Sequence, residues 1–282
     1  MAAVILAELC SELNAEQWAL DKLVAGADGA AWATSTPAAG WDVRDQISHL
    51  RFFDQAALVA LTDPPAFARH AKGLMAAGGE SRDVALGRSL SGPEVLERWR
   101  ASRHATRVAA LAAAEADPKT RVPWYGPPMS LASFVTARLM ETWAHGTDVA
   151  DALGYAPVAS DRLRHVCTIG IKARPYAFMI HERTDPGDPV HFDVAAPGGW
   201  SGVPAGGGGR RRREGRWRWG PEGTTDRVSG AALDLALVFT QRRHLSDTDL
   251  VVEGPTARAW MEIAQAFAGP AGPGRRPASD RR

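Results

Sequence analysis

Residues 138–151, RLMETWAHGTDVAD, decide how the first half of this 282-residue chain is read. Counted by threes and fours, Phe134, Arg138, Glu141, His145, Asp148 and Ala152 share one row of a helix. Leu131, Val135, Leu139, Thr142, Gly146, Val149 and Leu153 share the next, the seam expected to pack. A charged row beside an apolar seam has two readings. Either it is the wet side of the helix, held by an Arg138–Glu141 pair, or it points inward at something that needs charge. Ser130 caps the run at its start, and the helix ends near Gly154.

Working outward, Leu6, Leu9, Leu13, Leu20 and Val24 set a helical stripe through residues 3–26. WDVRDQISHLRFFDQAALVALTD (41–63) opens with Asp42 as N-cap and Asp45 three residues on, a carboxylate form of the capping box. Val43, Ile47, Leu50, Ala57 and Leu61 keep the period to about residue 62, where Pro64 and Pro65 stop it. A further helix runs from Pro93, after Ser91 and Gly92, through Leu111. Four helices of bundle length with one or two long connections predict a four-helix bundle over residues 1–155.

The second half changes character. Residues 160–180 read as one helix, broken or kinked at Pro175. PVHFDVAAPGG (189–199) and GRWRWG (215–220) alternate as strands do, the second with both tryptophans on one face. DRVSGAALDLALVFTQRRH (226–244) gives a strand and then a helix over 231–242, and DLVVEGPTARAWMEIAQAFAG (249–269) repeats that order. This predicts a smaller α+β domain over 156–268, so an α+β two-domain chain. Residues 269–282, rich in Pro, Gly and Arg, read as a disordered tail.

Composition narrows the function. Hydrophobic residues make up 45% and charged residues 23%, the balance of a soluble globular protein with a real core. A formal net charge of +1 provides no global field for nucleic acid or an anionic membrane, and no window is apolar enough for a membrane span. The four arginines at 210–213, in a glycine-rich loop, read as a solvated turn. Cys10 and Cys167 have no zinc or redox spacing, which points to a reduced, cytoplasmic protein. The opening MAAVILAELCSELNAEQW lacks a basic n-region and reads as a helix start rather than a signal peptide.

Glu141 and His145, at i and i+4, put their Cβ atoms about 5–6 Å apart on one face. That suits two ligands of one metal ion, which needs donors about 2.0–2.2 Å from a shared centre. His49, on the second helix and followed by Phe52 and Phe53, would complete a set of two imidazoles and one carboxylate. Bundles build metal sites in this way, and such a set leaves a position open, the mark of a catalytic centre. The bland readings are a solvated row and a satisfied core histidine. Gly146, costly inside a helix, suggests close approach by a neighbouring helix. Trp124 and Tyr125 either roof the pocket as cofactor-binding residues or simply pack. Asp148 either orients His145 or is a surface carboxylate. His70, His104, His165, His181, His191 and His244 share no spacing.

The motifs W-D-V-R-D-x-x-x-H-L (Trp41 to Leu50) and R-x-x-E-x-x-x-H-G-x-D-V-A-x-A-L-G (Arg138 to Gly154) resemble the mycothiol-dependent maleylpyruvate isomerase family of the DinB-like metal-binding superfamily. The resemblance implies a DinB-like four-helix bundle that holds a divalent metal, zinc first among the candidates, through His49, Glu141 and His145. It implies a small, sterol-carrier-like α+β domain after the bundle. The stretch GAALDLALVFTQRRH resembles the family's C-terminal segment, whose arginine is implicated in activity and falls on Arg242. Gln241 stands where the family has glycine, and Arg243 follows as the alternative working residue. RRHLSDTDL and AWMEIAQAFAGPAGPGR are similar to a branch described only as metal-binding proteins.

The implied activity is metal-dependent chemistry with mycothiol as thiol cosubstrate. It would be an isomerisation or S-transfer on an activated substrate whose carboxylate Arg242 clamps with a bidentate fork. The implied partners are a small molecule and a low-molecular-weight thiol, with no nucleic acid and no membrane, in a monomer or homodimer. A metal-dependent hydrolase without thiol, or a non-catalytic binding protein, are the alternatives.

Overall fold

A computed structural model describes residues 2–76, 82–197, 215–272 and 274–280; the arginine run at 210–213 lies outside them. The described residues form a helix-dominated α+β protein with two small sheets. It divides into two compact units, Met1–Val158 and Ala159–Arg282.

The first unit is built on four long helices: α1 (Ala2–Val24), α3 (Val43–Thr62), α6 (Gly92–Ala116) and α7 (Leu131–Leu153). Short helices α2 (Gly29–Trp32), α4 (Pro64–Ala76) and α5 (Arg82–Arg88) fill the connections. Strands β1 (Arg121–Val122) and β2 (Met129–Ser130) form a small antiparallel ladder just before α7. Helix α3 packs on α6 and α7, and α1 packs on the same two helices from the other side. Leu20, Val24, Ile47, Leu50, Val95, Trp99 and Val149 meet in the core.

The caps follow the sequence. The Asp42 side chain accepts from the Asp45 amide at 2.8 Å and Asp45 accepts from the Asp42 amide at 3.1 Å, closing the capping box. Ser91 and Glu94 close a second one at α6. Pro64 and Pro65 end α3 as expected, but they also begin α4, a helix absent from the sequence reading. A proline in the first turn loses no helical hydrogen bond, and Asp63 Oδ1 accepts from the Ala66 amide at 3.0 Å to cap the new start.

Helix α7 is buried on both rows, including Arg138, His145 and Asp148, so the solvated-row reading is wrong. It ends in a Schellman turn, with Gly154 at φ +76°, Tyr155 N–H donating to Ala150 O at 2.8 Å and Gly154 N–H to Asp151 O. Gly146 does not mark a tight crossing. A Cβ there would lie 3.7 Å from Leu20 of α1, an ordinary contact.

In the second unit, residues 160–180 form two helices, α8 (Leu163–Lys172) and α9 (Arg174–Ile180), with Pro175 in the first turn of the second. Strands β3 (Val190–Ala195), β4 (Arg216–Trp219), β5 (Asp226–Ala231) and β6 (Val251–Glu253) make one sheet in the order β4-β3-β5-β6. The central β3–β5 pair is parallel, with Phe192 opposite Val228, and the outer pairs are antiparallel. Helices α10 (Ala232–Phe239) and α11 (Pro255–Met261) pack on the sheet, and α8 packs on α10. Phe192, Phe239 and Trp260 meet at tilted and edge-on angles in the centre, with Gly170 of α8 making room for the Phe239 ring. The stretch read as a disordered tail contains a 3-10 turn at Ala278–Asp280, and the Ala278 amide donates to Asp247 Oδ1 at 2.9 Å.

Candidate metal centre

His49 projects from the middle of α3, and Glu141 and His145 from the middle of α7. The crossing of these two helices brings the three together, so that one donor atom from each lies within 4.8 Å of the others. His145 Nε2 is 3.3 Å from Glu141 Oε2, and the two imidazole rings are 4.4 Å apart. An ion with donors at about 2.0–2.2 Å needs a shell no more than about 4.4 Å across. The three donors therefore fit one divalent ion after shifts of a few tenths of an ångström. His145 is buried while His49 and Glu141 are half-buried, which leaves a side from which a fourth ligand can approach.

The imidazoles are held in place by their surroundings. Trp41 lies parallel to the His145 ring at 6.1 Å and tilts over His49 at 5.2 Å, while Phe53 covers His49 at 4.6 Å. His145 Nδ1 hydrogen-bonds Gln46 Oε1 at 2.5 Å. Gln46, one turn before His49 on α3, is thus an orienting partner of His145. Asp148 is itself buried, which rules out a surface carboxylate.

Burial pushes the Glu141 carboxyl up, but the His145 hydrogen bond and the charges of His145, Arg138 and His49 outweigh it and bring it down to about 2. Glu141 is therefore ionised throughout the neutral range. Arg138 does not form the pair with Glu141 that the solvated-row reading required. Its guanidinium turns to Asp54 of α3, with Nε donating to Oδ1 at 2.9 Å, while Trp99 Nε1 donates to Oδ2 at 3.0 Å. A buried charge needs a buried countercharge, and Asp54 provides it.

Trp124 and Tyr125 stand in an aromatic wall next to His49. Trp124 stacks on Phe67 at 5.5 Å and meets Phe134 edge-on, and Tyr125 meets Phe53 at 5.6 Å. The Tyr125 hydroxyl pairs with His70 Nε2 at 3.1 Å, and burial pushes its pKa up to about 12, so it stays protonated. Gln46, Trp41, Asp54 and Phe53 contribute to the centre without having been selected from sequence. Gln46 and Phe53 did carry a signal, lying three residues before and four after His49 on one face of α3. Arg242 and Arg243 lie in the second unit, at the turn that ends α10. Arg242 Nη1 donates to Thr240 O at 2.7 Å and Arg243 Nη1 to Arg242 O at 2.8 Å.

Residues 6–150 match the family model for the mycothiol maleylpyruvate isomerase N-terminal domain. The chain belongs to this family. His49, Glu141, His145, Trp124 and Tyr125 all lie within the matched stretch, and Arg242 lies beyond it. Two Mycobacterium tuberculosis relatives, from strains CDC 1551 and H37Rv, are each 41% identical over 271 residues. The alignment covers 94% of this family member and 97% of each relative, and both are described as uncharacterized proteins. Among solved structures, the mycothiol-dependent maleylpyruvate isomerase superposes with a TM-score of 0.53 at 16% identity. A histidine-to-alanine mutant of that isomerase gives 0.54 at 15%. Each comparison covers 89% of this chain and 95% of the other, and at this identity the likeness concerns the fold alone. Among the described residues, no helix is long and apolar enough to cross a membrane.

Proposed function

We propose that this family member is a divalent-metal-dependent enzyme of small-molecule thiol chemistry, an isomerase or S-transferase that uses mycothiol on an activated, carboxylate-bearing substrate. The observation that carries the reading is the convergence of His49, Glu141 and His145 donors within 4.8 Å at the α3–α7 crossing. The family, and the description of its solved neighbours as mycothiol-dependent isomerases, supply the thiol. On this reading residues 1–155 are a DinB-like bundle, residues 156–268 a sterol-carrier-like domain and residues 269–282 a tail. The two free, buried cysteines are in keeping with the cytoplasm.

His49, Glu141 and His145 would hold the ion, and zinc suits two imidazoles and a carboxylate with a position left open. When bound, the ion supplies Lewis acidity, lowering the pKa of a thiol and polarising a substrate oxygen. The chain does the rest. Glu141 presents an ionised carboxylate at neutral pH. Trp41 and Phe53 keep water from the imidazole faces. The Trp124–Tyr125 wall offers an apolar surface with one hydroxyl donor, and we assign it to thiol or substrate binding. Arg242, or Arg243 beside it, is assigned to the substrate carboxylate.

The test is metal content, by elemental mass spectrometry, of the purified protein beside its His49→Ala, Glu141→Ala and Arg242→Ala variants. We expect about one divalent ion per chain, lost in the first two and retained in the third, because an arginine offers a metal no donor. A wild-type protein that stays metal-free after reconstitution would refute the proposal.

A further inference from the structure

We propose that Gln46 is the positioning residue of the centre. It fixes which nitrogen of His145 carries the proton, and so which nitrogen faces the shared position. The inference rests on the metal-centre reading above and adds to it a residue that is neither a ligand nor titratable.

The hydrogen bonds form a chain that reads in one direction from the Trp41 carbonyl to His145. The Thr36 hydroxyl lies 3.0 Å from Trp41 O, and a carbonyl can only accept, so Thr36 donates to it. Gln46 Nε2 lies 2.9 Å from the same hydroxyl, which with its proton committed accepts from the amide. The amide nitrogen of Gln46 therefore faces Thr36 and its oxygen faces His145. That oxygen, 2.5 Å from His145 Nδ1, can only accept, so Nδ1 carries a proton. With an ion at the shared position, Nε2, on the Glu141 side, would offer its lone pair there in place of its contact with Glu141 Oε2. Gln46 is fully buried, so its amide has no water to turn to, and a flip would take the hydroxyl donor from Trp41 O and present N–H to His145 Nδ1, leaving the proton on Nε2. The loop carrying Thr36 and Trp41 thus aims a histidine on α7, ninety-nine positions from Gln46 in sequence. The same loop places the Trp41 ring over His145.

The experiment measures Zn²⁺ affinity by chelator competition on the full chain and its Gln46→Leu, Gln46→Glu and Thr36→Val variants. Histidine-selective ¹⁵N NMR of the zinc-loaded proteins is recorded alongside. Gln46→Leu removes the acceptor and should weaken zinc binding by about 10–100-fold, the usual effect of losing a partner of a metal-bound histidine. Gln46→Glu restores an acceptor for Nδ1–H and should bind within about threefold of wild type, a rescue that a role in packing alone would not give. Thr36→Val is a milder change at a half-buried site and guards against a Leu variant that does not fold. It should lower affinity several-fold (about 3–10-fold) and weaken the protected Nδ1–H signal of His145. Wild-type affinity in Gln46→Leu, or in Thr36→Val with an unchanged spectrum, would overturn the assignment of Gln46 and leave the metal centre standing. Failure of the wild-type chain to bind Zn²⁺ would overturn both.

Discussion

The α3–α7 crossing and the turn after α10 both carry residues matched to a motif, and they differ in their backbones and in the contacts described for them. At the crossing, several polar side chains are held by others from different elements: His145 by Gln46, Gln46 by Thr36, Arg138 by Asp54, and Asp54 by Trp99. At the turn, the guanidinium groups of Arg242 and Arg243 donate to carbonyls one or two residues away. The first arrangement is rigid because many long-range contacts fix it. The second includes contacts within the turn itself. A polar centre assembled across helices stands or falls with its supporting pairs, whereas the turn also answers to the left-handed backbone at Gln241.

The largest expected effect of breaking that support is at Asp54. Asp54→Ala leaves the Arg138 guanidinium buried without its carboxylate and the Trp99 indole N–H without its acceptor. It should cost about 3–5 kcal/mol in urea denaturation. An Asp54→Leu/Arg138→Met double variant should recover most of that loss, since an apolar pair often replaces a buried ion pair at little cost. A single variant as stable as wild type would show that the pair supports nothing.

Next in size is an acid-dependent pair in the same bundle. Asp21 of α1 receives Arg100 Nη2 at 2.8 Å and Arg103 Nη2 at 2.7 Å. Burial pushes its carboxyl up, but the hydrogen bonds and charges of Arg100 and Arg103 prevail and hold it below its ordinary value of 3.8. Unfolding therefore takes up a proton there in acid. The stabilisation is fully present above the ordinary value and is lost as the pH falls through the depressed one. Asp21→Asn should lower stability at pH 7 by about 2–4 kcal/mol, as for a broken buried pair. Its deficit against wild type should shrink as the pH is taken below 3.8. A deficit independent of pH would mean that the ion pair is not its source.

These pairs mark the limit of what the sequence made legible. Helical spacing put Glu141 and His145 on one face and His49 on a helix of its own, because each of those facts is local. Spacing along α7 offers Arg138 only Glu141 as a partner, because Asp54, 84 positions away, is not visible in the local pattern. Gln46 was overlooked for the same reason: its role depends on α7 and on the loop at Thr36, neither of which its own helix announces. Helix α4 was missed because two prolines read first as a stop, although in a first turn they are equally a start. Strand alternation and Pro175 placed the second unit's elements, yet nothing in the local pattern of Arg242 says where its side chain is directed.

The smallest effects separate the two regions through their backbones. Gly146 sits inside α7, where a methyl would meet Leu20 at an ordinary 3.7 Å. Gly146→Ala should therefore stabilise the protein by about 1 kcal/mol through helix propensity, with zinc affinity unchanged. Destabilisation would mean that the crossing of α1 and α7 is tighter than this spacing.

The turn after α10 is the converse case. Arg242 N–H donates to Leu237 O at 2.7 Å and Gln241 N–H to Val238 O at 3.0 Å, the Schellman pattern that Gly154 completes at the end of α7. Here the left-handed position, at φ +57°, is filled by Gln241. A side chain in that conformation is strained by about 1–2 kcal/mol, and glycine would relieve it. Against that relief stand the Gln241 Nε2 bond to Ala264 O at 3.3 Å and the greater freedom of an unfolded glycine. Gln241→Gly should therefore gain only about 0.5 kcal/mol. Gln241→Ala, which keeps the strain and loses the amide, should lose a similar amount. Equal losses in both variants would show that the amide, rather than the backbone, governs this turn, and the two regions would then be alike in depending on a long-range hydrogen bond.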